Sequence, residues 1–365
     1  MKHLILITFT IFTFASCQQQ INEPSYKITG TIAGIENGTI ILQSKSIGLV
    51  DTAFVDNGKF VFEGKVDEPV ACVIDLTGTS EKWSIYLENS AISFNADINS
   101  AGKAVIGGSK LESEKQKYDS LLKIIDIKYD VEAIDAEYES ASEKRKEEIL
   151  QIFDLYDKEQ LVQKRQFIKE HPASYLSPII LWDIDWSFNT VHEFDECISH
   201  LDSSLNGFSY LEGIKEIFEK LRKVEIGRIA PDFIMNDTEN NAITMSLILK
   251  DSKYLFIDFW ASGCGPCRKE NPNIAKAYNR FHDKGLNIIG ISTDTKKENW
   301  LNAIEKDGLI WTNLCNFKKW KDNEIVQLYA LRQQSENVLL DNTGMIIAKN
   351  IKGEELQGKL MELLK

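Results

Sequence analysis

The chain has 365 residues, enough for two or three domains that each enclose a core. Its composition, 43% hydrophobic and 27% charged, is that of a globular protein and excludes a disordered one. A formal net charge of −13 argues against a nucleic-acid partner, whose phosphates require a basic face.

Residues 1–17 read as a targeting segment. Met1-Lys2-His3 is a short basic start, and Leu4 to Ala15 is an apolar run too short to span a bilayer. Phe14-Ala15-Ser16-Cys17, followed by Gln18-Gln19-Gln20, resembles a bacterial lipoprotein signal, which implies that Cys17 is lipidated. An ordinary secretory signal cut near the same point is the alternative. Either reading sends the chain to a compartment where disulfides persist. No later stretch is long and apolar enough for a transmembrane helix. The expectation is a body in the cell envelope, facing the periplasm and tethered to a membrane through its lipid.

Residues 24–109 carry short alternating stretches with Gly and Asn turns. Tyr26–Ile32, Thr39–Leu42, Thr52–Val55, Phe60–Gly64, Val70–Leu76, Ser84–Leu87 and Ile92–Ala96 are the strands, and Asp56-Asn57-Gly58-Lys59 is a hairpin turn. This spacing predicts an antiparallel β-sandwich-like domain or a roll. It resembles a β-rich domain of unknown function found ahead of thioredoxin domains in exported lipoproteins. It holds no catalytic constellation, which leaves binding or spacing as its role.

The period turns helical over residues 110–226. Tyr118, Leu121, Leu122 and Ile125 recur at helical spacing, as do Ile149, Phe153 and Tyr156. The mixed-charge run Glu137–Glu148 reads as a solvated helix stitched by i,i+4 pairs. His171-Pro172 breaks the pattern. Trp182, Trp186 and Phe188 either pack a small helical core, the preferred reading, or line a groove for a client.

The last domain spans 227–365. Pro231–Met235 is an entry strand and Ala242-Ile243-Thr244 begins a hairpin leading to a short helix. Tyr254–Phe259 is a buried strand, and Trp260-Ala261-Ser262-Gly263-Cys264-Gly265-Pro266-Cys267 is a turn opening a helix to Phe281. Leu286–Ser292 is a parallel strand and Thr295–Lys306 a helix. Asp322–Leu331 is helical, Asn337–Asp341 and Met345–Lys349 form a hairpin, and a helix starts at Glu354. The two cysteines thus stand at a strand-to-helix turn, where backbone N–H groups and the helix dipole favour a thiolate at Cys264. No second CxxC or His-x-x-x-His completes a metal set, and no cofactor is called for.

The turn resembles the thioredoxin active site. With Ala230-Pro231-Asp232-Phe233, Asp258 and Glu270, the segment from Gly227 to Lys365 is similar to the TlpA/ResA branch of thiol-disulfide oxidoreductases. The resemblance implies an α/β thioredoxin-like fold and an enzyme that exchanges disulfides with protein clients. Cys264 attacks, and Cys267 resolves the mixed disulfide. An upstream thiol reductant in the envelope or membrane recharges the pair, and cytochrome c biogenesis is one setting for such an enzyme. The direction implied is reduction, though the same steps run backwards oxidise a client. Asp258 stands where the family has a buried carboxylate that takes the Cys267 proton, or else it caps a backbone group. Glu270 either tunes the sulfurs and contacts clients or is a solvated helix-face residue. Trp260, Gly265 and Pro266 shape the motif, and Pro272 is expected to kink the helix.

Two departures from the family pattern stand out. Gly263 replaces the Trp before the first cysteine, which predicts a more exposed Cys264. Ser335 falls where the superfamily has a cis-proline. Because a non-proline cis bond costs about 2.5–4 kcal/mol, the Gln334–Ser335 bond is expected to be trans, with the hydroxyl free to bond a sulfur. The alternatives are a peroxiredoxin-like peroxidase and a non-catalytic binding lipoprotein with a degenerate thioredoxin domain. The peroxidase pattern Pro-x-x-x-Thr-x-x-Cys is broken here by Ile257 and Ala261. Cys72, Cys197 and Cys315 receive no role, Cys315 being the candidate auxiliary thiol.

Overall fold

Strict alternation of apolar and polar residues makes Tyr26–Ala33 a strand buried on one face only, β1. The computed structural model describes residues 25–100, 103–188 and 190–365, so the expected signal and Cys17 lie outside the described residues. These fall into two compact units, one up to Ser120 and one from Leu121 to Lys365.

In the first unit β1 is joined by β2 (Asn37–Ser44), β3 (Leu49–Asp56), β4 (Lys59–Gly64), β5 (Val70–Leu76), β6 (Lys82–Leu87), β7 (Ala91–Asp97) and β8 (Ala104–Gly107). They form one eight-stranded sheet in the order β6-β5-β2-β3-β4-β1-β7-β8. Neighbours are antiparallel except β1 and β7, which run parallel. The β-rich domain is therefore a single curled sheet rather than two stacked ones. Trp83 of β6 meets Phe94 of β7 edge-on at 5.6 Å, although five strands separate them in the sheet order, so the sheet wraps over its own core. Asn57 and Gly58, both at positive φ, make the β3–β4 turn that the sequence predicts. Helix α1 (Lys110–Tyr129) starts at the end of this unit, where Ser109 Oγ accepts from Glu112 N and Glu112 Oε1 accepts from Tyr86 N at 2.5 Å.

The second unit opens with α2 (Val131–Tyr138) and α3 (Glu143–Glu170). The charged run 137–148 is not one helix. It breaks at residues 139–142, Ser142 caps α3, and Arg145 ties the two helices by a two-pronged bond to Glu137 at 2.8 and 2.9 Å. His171-Pro172 ends α3 as expected. Then come α4 (Leu176–Asp183), α5 (Val191–Ile198) and α6 (Ser209–Arg222). Phe194 of α5 stacks on Phe218 of α6 with ring centres 3.6 Å apart, and Arg222 grips Asp195 with two bonds of 2.9 Å. Phe188 joins this aromatic core, but Trp182 and Trp186 do not: Trp186 is 63% exposed and its indole N–H donates to the carbonyl of Asp183.

The same unit continues as the thioredoxin-like domain. β9 (Ile234–Asn236) and β10 (Ala242–Thr244) pair ahead of α7 (Met245–Lys250). β11 (Tyr254–Trp260), α8 (Gly265–Phe281), β12 (Leu286–Ser292), α9 (Lys297–Asp307) and β13 (Thr312–Cys315) make two successive βαβ units, and α10 (Glu324–Leu328) follows. The expected helix 322–331 is shorter because Asn323 caps its start and Ala330, at φ 49°, has already left it. β14 (Glu336–Asp341) and β15 (Ile346–Lys349) form the hairpin, and α11 (Gly353–Leu363) closes the chain. The sheet order is β13-β12-β11-β14-β15, with β11 central. Side chains alternate across it into two cores: Phe256, Trp260 and Ile288 under α8, α9 and α11, and Leu255, Ile257 and Phe259 toward β9 and α10. A strand buried on both faces explains why 254–260 reads as an unbroken apolar run. Among the described residues no helix is long and apolar enough to cross a membrane.

Candidate active site

β11 ends at Trp260 and the chain turns through Ala261–Gly263 so that Cys264 becomes the N-cap of α8. Its sulfur accepts the N–H of Cys267 at 3.2 Å, and its carbonyl accepts from Arg268 N at 3.0 Å. Pro266 sits at the second helical position, where a missing N–H costs nothing. The two cysteines are disulfide-bonded, with Cα atoms 5.3 Å apart. When the bond opens, the donor aimed at Cys264 Sγ and the helix dipole remain to hold the sulfur as a thiolate.

Cys264 is 8% exposed and Cys267 3%, both within the core beneath α8. Cys267 is the more buried of the two, and the greater exposure of Cys264 expected from Gly263 is not observed. Trp260 and Ala261, in the same core, enclose the sulfurs from the strand side. A Cβ at Gly263 or Gly265 would meet nothing within 4 Å, and neither has a positive φ, so the turn does not depend on glycine at either position. Helix α8 runs on through Pro272.

The turn is held by groups the sequence does not advertise. Asp294 accepts from Ser262 N at 2.8 Å and Ser262 Oγ at 2.6 Å, and Ser292 Oγ supports it at 2.7 Å. Arg268 donates to the Ser262 carbonyl at 3.0 Å and forms an ion pair with Asp307, which Asn271 also bonds at 2.6 Å. Cys315 is 2% exposed, and its thiol donates to the Asp294 carbonyl at 3.4 Å.

Asp258, 7% exposed, alternates on β11 with Phe256 and Trp260, which pack in the same core as the dithiol, and stands in the register position opposite Asn337. Burial, with the negative Glu270 adding to it, pushes its carboxyl up to about 7, while the positive Lys352 opposes the rise. Glu270 is half-buried. Its carboxylate accepts from Gly353 N at 2.7 Å and from Asn273 Nδ2 at 3.0 Å, so it joins α8 to the start of α11 instead of waving in solvent. Ser335 is joined by a trans bond, at φ 73°, and its N–H donates to the Phe259 carbonyl at 2.9 Å. Proline offers neither that φ nor that donor. The Ser335 hydroxyl bonds no sulfur: it accepts from Lys352 Nζ at 2.8 Å.

On the far side of the 330–336 loop is a cavity of about 810 Å³ lined by Trp186, Phe188, Phe218, Arg332, Glu336 and Lys349 among others. Arg332 crosses it to donate to the Asp185 carbonyl at 2.8 Å and lies 5.0 Å over the Phe218 ring. Two of the three aromatics noticed in the sequence thus line a cavity. Among the described residues no cluster of three or more His, Cys, Asp or Glu side chains could hold a metal ion. Among the described residues the unpaired cysteines are Cys72 and Cys315, buried, and Cys197, half-buried. Burial raises all three thiols, Cys72 to about 11.

A thioredoxin-like domain with a helix-capping dithiol and a buried carboxylate on the strand that leads to it defines a thiol-disulfide oxidoreductase. Residues 226–351 match the AhpC/TSA family and residues 26–114 a domain of unknown function, DUF4369. The thiol-disulfide oxidoreductase ResA of Bacillus cereus is 32% identical over 161 residues, which cover 44% of this chain and 86% of that protein. The C-terminal domain of a putative thiol-disulfide oxidoreductase from Bacteroides thetaiotaomicron is 33% identical, covering 39% of this chain and 97% of that one, with a TM-score of 0.37. A thiol-disulfide oxidoreductase structure from Bacteroides fragilis is 35% identical, covering 38% of this chain and all of that one, with a TM-score of 0.36. The chain belongs to the ResA family of thiol-disulfide oxidoreductases.

Proposed function

We propose that this oxidoreductase is exported, anchored to a membrane through lipidated Cys17, and reduces disulfides in envelope protein clients through Cys264 and Cys267. The observation that carries the reading is the buried Asp258, poised near neutrality on the strand that leads to a cysteine pair capping a helix. The Cys264 thiolate attacks one sulfur of a client disulfide, forming a mixed disulfide and releasing the other client sulfur as a thiolate. Asp258, ionised in part at neutral pH, takes the proton of Cys267. The new Cys267 thiolate attacks Cys264 Sγ, expels the second client sulfur and closes the Cys264–Cys267 disulfide. Two electrons have passed to the client, and an upstream dithiol returns them. Export and anchoring rest on the basic start, the short apolar run and Ser16-Cys17.

The test is a Cys267→Ser variant expressed in cells: it should accumulate mixed disulfides with envelope proteins, and Cys264→Ser should not. A Cys264–Cys267 potential near about −270 mV, the value of thioredoxin, fits a reductase, and one near about −120 mV would reverse the direction. Incorporation of labelled fatty acid that Cys17→Ala abolishes tests the anchor.

A further inference from the structure

A lysine at a helix start is ordinarily a solvated, mobile cation, but Lys352 is pinned on both sides. Before it, Ile351 is clasped by the side chain of buried Asn337, which accepts from Ile351 N at 3.1 Å and donates to the Ile351 carbonyl at 3.0 Å. After it, Gly353 N donates to Glu270 at 2.7 Å. The ammonium itself donates to Ser335 Oγ at 2.8 Å, and Ser335 is fixed to β11 through the Phe259 carbonyl. Asn337 is the register partner of Asp258, so the Asn337 and Ser335 anchors refer back to the strand that carries the buried carboxyl, while Glu270 ties the turn to α8. A neutral hydroxyl holds the cation without neutralising it.

We propose that Lys352, held by Ser335, is a positioning residue that keeps Asp258 available as the proton acceptor for Cys267 and so sets the rate at which the mixed disulfide resolves. The proposal rests on the role given to Asp258 above. The charged groups acting on Asp258 are Glu270 from α8, which favours the protonated carboxyl, and Lys352 from the β15–α11 turn, which favours the carboxylate. Glu270 and Lys352 are thus opposed controls on one proton. Ser335 contributes from the loop after α10. In this chain the hydroxyl at the position of the superfamily's proline serves to place a charge.

The experiment measures resolution of a preformed mixed disulfide between the full chain and a thiol-labelled peptide, from pH 5 to 9.5. Wild type, Asp258→Asn, Lys352→Met, Lys352→Arg and Ser335→Ala are compared. Wild type should show a limb near pH 7 that Asp258→Asn removes. Lys352→Met should move the limb up by about one pH unit and slow resolution at pH 7 about fivefold, converging with wild type at high pH. Lys352→Arg should restore the wild-type limb, and Ser335→Ala should shift it in the same direction by less. Unmoved limbs in Lys352→Met and Ser335→Ala, beside a wild-type limb that Asp258→Asn does remove, would overturn this inference alone. A wild-type profile indifferent to Asp258→Asn overturns both this inference and the role given to Asp258.

Discussion

Replacing Asp258 by Asn should make the disulfide-bonded protein more stable in alkali and leave it unchanged in acid. The carboxyl is held at about 7 against an ordinary 3.8, because it is buried and faces Glu270. A carboxyl raised in the native state keeps a proton that the unfolded chain has released. Native stability is therefore full below pH 4 and falls as pH rises through 7. At 1.36 kcal/mol per pH unit the loss approaches about 4 kcal/mol once the group ionises, an upper bound because water and side chains relax around the charge. Asn has the same shape and no charge, so at pH 8.5 the variant should gain about 2–4 kcal/mol, and at pH 4 almost nothing. Hydrogen exchange at the β11 amides, read across a urea series, isolates the unit that holds Asp258. Equal protection of variant and wild type at pH 8.5 would refute the reasoning. So would a gain of the same size at pH 4, which would point to packing in place of ionisation.

Gly263→Trp should fold with stability within about 0.5 kcal/mol of wild type in thermal melts, because nothing stands within 4 Å of the new Cβ. Asp294→Ala removes the acceptor of two Ser262 bonds and should cost about 1–3 kcal/mol in the same melts, with faster alkylation of reduced Cys264. Arg332→Met loses the bond to the Asp185 carbonyl and the cation over Phe218, and should cost about 2–3 kcal/mol while opening residues 184–190 to limited proteolysis. Trp83→Ala should cost about 3–5 kcal/mol in the first unit and leave disulfide exchange by the second unchanged.

What could be read from the sequence is what is local. The dithiol, its strand and its helix lie within one βαβ stretch, and the cap joins residues only three apart. Asp258 was legible because it stands in the strand leading to the motif, where the thioredoxin pattern has a buried carboxylate. The supports were not. Ser262 meets Asp294 across 32 residues, Arg268 meets Asp307 across 39, and Glu270 meets Gly353 across 83. No periodicity carries a pairing of that kind, and Lys352 looked like any charged residue at a helix start. The first unit shows the same limit. Alternation located its strands, but the parallel pairing of β1 with β7 and the wrap that brings Trp83 to Phe94 are choices among distant partners. Trp186 misled for another reason. Its aromatic neighbours form a core, but it stands on a short turn after α4 that carries it out to the cavity rim.

The three cysteines left unpaired among the described residues bear on selectivity. A protein that makes and breaks sulfur–sulfur bonds is exposed to scrambling its own thiols. Here burial keeps Cys72, Cys197 and Cys315 protonated well above neutral pH, and a thiol that does not ionise does not attack. The chain thereby separates one reactive pair from three inert sulfurs by acidity, with no barrier beyond packing. A brief alkylation at pH 7 after mild reduction should mark Cys264 first and leave these three untouched. That makes the redox state of the working pair readable without mutating Cys72, Cys197 or Cys315.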